Sequence, residues 1–163
     1  MGHNISALCI AAPYDKAKAE SYGLLERLAW RHVTVFPIDH YWSAYWQAKR
    51  GDIDGALPIP EGSHLMPHEG AIRAIAREIT GLSAPRFGVI HSDYFGGHGA
   101  QWAIACEGDR TLVADGRVNQ VLRELGVVCA GGNDEWDTIG LGDYRHNPDH
   151  LDRFRALCDE LGV

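Results

Sequence analysis

The chain lacks most of the signatures by which a sequence announces its chemistry. No GxxxxGK[ST], complete GxGxxG, GxSxG or HExxH occurs, which disfavours a P-loop nucleotide enzyme, a typical dinucleotide fold, an α/β-hydrolase and a zincin. CxxC spacing is also missing. Cys9, Cys106, Cys129 and Cys158 stand apart, each in or beside an apolar segment, and read as reduced packing residues rather than zinc ligands or a redox pair. Positive charge is scarce, with 15 Lys and Arg against 22 Asp and Glu and a formal charge of -7. No basic stripe with interleaved aromatics exists to meet a phosphate backbone, so nucleic acid is not an expected partner. The apolar stretch near the start, Ala7 to Ala12, is too short for a membrane span and has no basic region before it to make a signal peptide. A soluble cytoplasmic protein without a membrane partner is therefore expected.

What is present fits one globular domain over residues 1–163. The chain is 45% hydrophobic, and its five Trp, six Tyr and four Phe are spread along it, enough to build a core. Ile5 to Ala12 is a short apolar run closed by Pro13, which predicts a buried, central strand. Asp15 can cap a helix running to about Arg31, with Leu24, Leu25 and Leu28 inward. Val33 to Phe36 reads as a second strand and His40 to Lys49 as a short helix. Asp52 to Met66 has loop composition, and Pro67 can begin a helix whose apolar face is Ala71, Ile72, Ile75, Ala76 and Ile79, with Gly81 ending it. From Phe87 the pattern alternates, predicting an antiparallel meander over about 87–114. Helices starting at Asp115 and Asn147, a strand at Val127 to Ala130 and a loop from Gly131 to Arg145 complete the reading. The class is α+β or a mixed-sheet α/β fold, with the meander flanked by helices. A doubly wound sheet is second choice.

Two segments invite a chemical reading. In His91-Ser-Asp93-Tyr-Phe-Gly-Gly-His98-Gly-Ala-Gln101, strand alternation puts His91 and Asp93 on one side, and a folded-back His98 would complete a facial set suited to a divalent metal. Alternatively His98 acts as a base oriented by Asp93, while Gly96, Gly97, Gly99 and Gln101 receive an anion. The plain alternative is a hairpin turn that needs glycines. In the second segment, Asp134, Glu135 and Asp137 could bind a cation or a basic partner, although a solvated loop is the commoner fate of such a cluster. Asp52-Ile-Asp54-Gly55 stops short of a calcium loop. The HxxxH pairs His64/His68 and His146/His150 each bracket a proline that marks a helix start, so neither pair is expected to share a helical face.

Three functional readings remain open. The preferred one is a binding or regulatory domain, such as an acidic inhibitor or immunity-type protein, acting by protein contact through the acidic loop and exposed Trp42, Trp46 and Trp136. The second is a small metal-dependent hydrolase built on His91, Asp93 and His98. The third is anion or small-molecule binding at the Gly96 to Gly99 loop. The aromatic stretch Tyr41 to Trp46 is either core or the patch of a homodimer, core being the usual outcome.

Overall fold

The computed structural model describes residues 2–51 and 55–163, so Asp52 and Asp54 of the calcium-loop comparison lie outside the described residues. Six strands form one sheet in the order β2-β3-β1-β4-β5-β6: β1 His3–Ile10, β2 Leu28–Trp30, β3 Val33–Pro37, β4 Arg86–Phe95, β5 His98–Glu107 and β6 Arg110–Gly116. Every pairing is antiparallel, which settles the class as α+β and removes the doubly wound alternative. β1 is central, as its apolar run requires. The meander β4-β5-β6 occupies one half of the sheet.

Strand alternation sorts the side chains into two unequal faces. Leu8, Ile10, Phe36, Phe87, Val89 and Ile104 point one way, towards α1 (Lys16–Ser21), α2 (His40–Arg50), α3 (Ala71–Thr80) and α6 (Arg153–Leu161). Ala7, Cys9, Val35, Ile90, Ala103 and Ala105 point the other way, towards α4 (Val118–Glu124) and α5 (Glu135–Ile139). Gly88 belongs to the second face, where a Cβ would stand 2.6 Å from Val121 Cγ1, so the missing side chain is what lets α4 lie close on the sheet. Among the described residues no helix is long and apolar enough to cross a membrane.

Several boundaries differ from expectation for reasons that lie in tertiary contacts. The first helix ends at Ser21, not near Arg31. Gly23 turns the chain at φ +73°, pressed so closely on Arg153 and Phe154 that a Cβ would meet them at 2.7 and 2.9 Å, and Leu28–Trp30 then pairs with β3 as an edge strand. Leu24 is buried, while Leu25 is 44% exposed. α3 starts at Ala71 instead of Pro67, because the Leu57 and Gly70 N–H groups bond the His68 and Gly55 carbonyls and hold residues 68–70 in the loop. Asp115 lies in β6, one residue before its end, and does not cap α4. Val127 to Ala130 forms no strand, and the 131–145 segment contains α5 and a 3-10 turn, Leu141–Asp143. Asn147 does not cap the final helix, which follows a separate 3-10 turn, Asp149–Leu151.

The aromatic and cysteine expectations divide. Trp42 is fully buried and Trp46 and Trp136 pack on the two cores, so these tryptophans are not the exposed contact surface expected of them. Cys9, Cys106 and Cys158 are buried free thiols, and burial pushes the Cys9 thiol up to about 12. Cys129 is the exception to the packing role, being exposed.

Candidate functional site

At the end of the sheet, on the face that carries α2 and α3, apolar rows give way to polar ones. In the β1–β4 register Leu8 faces Val89, then Ser6 faces His91, then Asn4 faces Asp93. Directly opposite side chains on one face of an antiparallel pair are contact neighbours. Ser6 Oγ and His91 Nδ1 are accordingly 2.7 Å apart, both residues at least nine-tenths buried. On the other flank, Trp102 of β5 faces His91 and stacks on its imidazole, with ring centroids 5.5 Å apart and planes 17° from parallel.

The hydrogen-bond pattern assigns the tautomer of His91. Its Nδ1 is the one partner of the Ser6 hydroxyl among the described residues, so the O–H donates, Nδ1 accepts, and the neutral ring carries its proton on Nε2. No described residue bonds Nε2. Burial is the main cause holding the His91 pKa below the ordinary value of 6.5, with Asp93 pulling it up and His40 pushing it further down.

His40 is the first residue of α2, whose N-cap Asp39 accepts the Trp42 N–H at 2.7 Å. Its pKa is lowered by burial, opposed by Asp39 and Glu69 and reinforced by His64 and His68. The 55–70 loop supplies those partners. His68 Nδ1 donates to the Met66 carbonyl at 2.8 Å, leaving Nε2 as an acceptor in the neutral ring, and Glu69 accepts from the Ser43 hydroxyl and, at 3.1 Å, from the His68 N–H. Imidazoles from a strand, a helix start and a loop thus influence one another at one end of the fold. Asn147 closes the neighbouring gap between β1 and β3, accepting the Ser6 N–H at 3.2 Å and donating to the Ile38 carbonyl at 3.0 Å.

Of the residues singled out in sequence, His91 and Asp93 share a face as expected, and Asp93 acts electrostatically on His91. His98 does not join them. Gly96 and Gly97, with φ of +59° and +80°, make a two-residue turn that pins His98 opposite Phe95, four residues along β5 from Trp102 and hence about 13 Å beyond the His91 row. Among the described residues no three His, Cys, Asp or Glu side chains stand where they could hold one metal ion, the proposed His91, Asp93 and His98 set included. Gly99 and Gln101 line a cavity on the opposite face of the sheet, away from the two turn glycines.

The acidic loop is occupied with its own structure. Asp134 caps α5 through the Asp137 N–H at 2.9 Å and also accepts from Asn119. Glu135, only 4% exposed, pairs with Arg123 at 2.8 Å, and Asp137 lies against the Gly142 backbone. The three carboxylates are not directed at a common point. His64 and His68 both precede α3, and His146 precedes the turn containing His150, so neither pair shares a helix.

Ser6, His40, Ser43, Glu69 and Trp102 are members of the site that sequence reasoning passed over. One signal was available: Ser6 is a polar residue within the otherwise apolar β1 run. Compared with protein-family models, curated proteins and solved structures, the chain matches none.

Proposed function

We propose that the protein is a binding domain whose ligand is a small oxyanion, a carboxylate or phosphate compound, received at His91 and the neighbouring imidazoles. One observation carries this reading: a nearly buried histidine, fixed by Ser6 on one nitrogen and by Trp102 on its face, has an outward N–H with no partner among the described residues. An oriented N–H in a partly dry site is a ready donor to an oxygen atom. His40 adds charge as it protonates. Affinity accordingly rises as pH falls through the lowered pKa values of His91 and His40, since a bound anion favours the protonated rings.

The test follows the imidazole nitrogens of labelled protein by NMR during titration with inorganic phosphate and, separately, acetate, against chloride at equal ionic strength. A saturable shift of His91 Nε2, larger below about pH 6.5 than above it, is expected. If His91 does not respond, or His91→Gln binds equally well, the reading fails.

Contact with a protein partner is the second reading, and Phe95 favours it. This phenylalanine is 81% exposed at the tip of the β4–β5 hairpin, on a chain whose charge of -7 suits a basic partner. Retention of a basic protein at moderate salt that survives Phe95→Ser would remove the tip from consideration. Four free thiols support action in a reducing compartment, the cytoplasm.

A further inference from the structure

The other face of the sheet ends in a cavity of about 330 Å³ between the β4–β5 hairpin and the end of β6, lined by Tyr94, Gly99, Gln101, Asp115 and Arg117. Its existence follows from the strands. Tyr94 faces Gly99, and no side chain can stand at 99, where a Cβ would fall 2.0 Å from the Asp93 carbonyl oxygen. The space beside the Tyr94 ring therefore cannot be filled by a side chain at position 99. On the far wall, the β5–β6 ladder slips between Ala103 and Ala105, and Asp115 adopts φ +51°, one of two non-glycine residues with positive φ among those described. A bulge of this kind re-aims the side chains that follow it. A non-glycine residue in the left-handed region costs about 1–3 kcal/mol and tends to be kept where a ligand is held, aspartate being among the more tolerant types.

Several polar groups on these walls have no partner within the fold and stand open to a ligand or to solvent. The Tyr94 hydroxyl, the Asp115 carboxylate and the Arg117 guanidinium bond no described residue, and Asp115 and Arg117 do not pair with each other although both line the cavity. Gln101 accepts the Val118 N–H at 3.4 Å through Oε1, which leaves its NH₂ without a described partner. Most other arginines are engaged. Arg50, Arg73, Arg77, Arg86, Arg110 and Arg123 form ion pairs, and Arg27, Arg31, Arg153 and Arg155 lie over aromatic rings.

We infer that this cavity binds a free α-amino acid, with Arg117 holding its carboxylate, Asp115 its ammonium group, and the Tyr94 hydroxyl and Gln101 amide completing the carboxylate's hydrogen bonds. A purely anionic ligand would meet Asp115, and a purely cationic one Arg117. A zwitterion satisfies both, and the guanidinium fork suits a carboxylate in two-pronged geometry. The volume of about 330 Å³ lies at the small end of ligand pockets, roughly 300–1,000 Å³, which fits an amino acid better than a nucleotide. This site is separate from the His91 cluster, on the opposite face.

Isothermal titration calorimetry of the whole protein with the standard L-amino acids, one at a time, tests it. At least one binds, and its N-acetyl and carboxamide derivatives each bind at least about tenfold more weakly, a loss of about 1.4 kcal/mol. Arg117→Gln and Asp115→Asn, both at exposed positions, lose affinity to the same extent and keep the wild-type thermal transition, while His91→Gln binds as wild type does. The inference is overturned if no amino acid binds, if the blocked derivatives bind as well as the parent, or if Arg117→Gln leaves the affinity unchanged.

Discussion

The two faces of the sheet solve the same packing problem with different side chains. One presents Leu8, Ile10, Phe36, Phe87, Val89 and Ile104 to four helices, and the other presents Ala7, Cys9, Ala103, Ala105 and the bare backbone of Gly88 to α4 and α5. Large side chains hold the helices off and fill the gap, whereas small ones let a short helix settle close. The polar ends differ in the same sense. On the bulky face Ser6 and His91 are both buried and bonded, while on the small face the corresponding pair, Ser92 Oγ and His3 Nε2 at 2.7 Å, joins a buried serine to a half-exposed histidine. Each strand thus contributes one histidine and one serine, to opposite faces.

Neighbouring residues of β4 give the sharpest test of that contrast. Phe87→Ala empties a fully buried ring position and is expected to cost about 3–5 kcal/mol in denaturant unfolding. Gly88→Val adds atoms where α4 already touches and is expected to cost less, about 1–3 kcal/mol. Should Gly88→Val prove neutral, close approach of α4 does not explain the small-residue face.

Acid comes next in expected size. His3, His40, His91 and His150 all have pKa values below 6.5, in each case chiefly through burial. Between those lowered values and 6.5 the unfolded chain binds more protons than the folded one, so stability falls as pH falls through that window and is unaffected by these groups above it. Thermal melts taken from neutral pH down to about pH 5 at constant ionic strength should show a declining Tm. A flat profile would mean that the rings are more accessible than their packing implies.

The two serine–histidine pairs separate the faces at smaller scale. Ser6→Ala leaves His91 Nδ1 unpaired in a buried site and is expected to cost about 1–3 kcal/mol, with loss of the single Nε2–H tautomer in the nitrogen spectrum. Ser92→Ala releases His3, whose partly exposed position lets water replace the hydroxyl, at a cost of about 0.5–1.5 kcal/mol. Equal losses would show that the difference in burial is without consequence.

How far the sequence could be read depended on the distance over which each feature is decided. β1, β3, α2, α3 and the meander follow from local pattern: an apolar run, a β-branched run, a face at helical spacing ended by Gly81, and alternation from Phe87. α1 was overextended because its stop depends on Phe154 and Arg153, far along the chain, which force the turn at Gly23. Within the site, His91 and Asp93 were legible because a strand guarantees that alternate residues share a side. His98 was misplaced because the Gly96-Gly97 turn keeps the hairpin in register to its tip. That Glu69 would stand beside Ser43 of α2 could not be foreseen, since only the packing of the 55–70 loop on that helix brings it there. The acidic loop did carry a local clue: Asp134, three residues before Asp137, has the spacing of a helix cap, and α5 uses it so.

The smallest expected effect distinguishes two cysteines of that same small-residue face and its surroundings. Cys9 lies at 0% exposure near the end of β1, and replacement by serine would bury a hydroxyl in the space of a thiol. Cys129 is exposed, after the end of α4, so Cys129→Ser should change stability by no more than about 0.5 kcal/mol. Alkylation of the native protein should modify Cys129 and spare Cys9, whose thiol is held at about 12 by burial and is shielded from reagent by α4 and the neighbouring strands. If Cys9 is alkylated under native conditions at a comparable rate, the α4 layer opens readily, and the close packing that distinguishes this face is not maintained in solution.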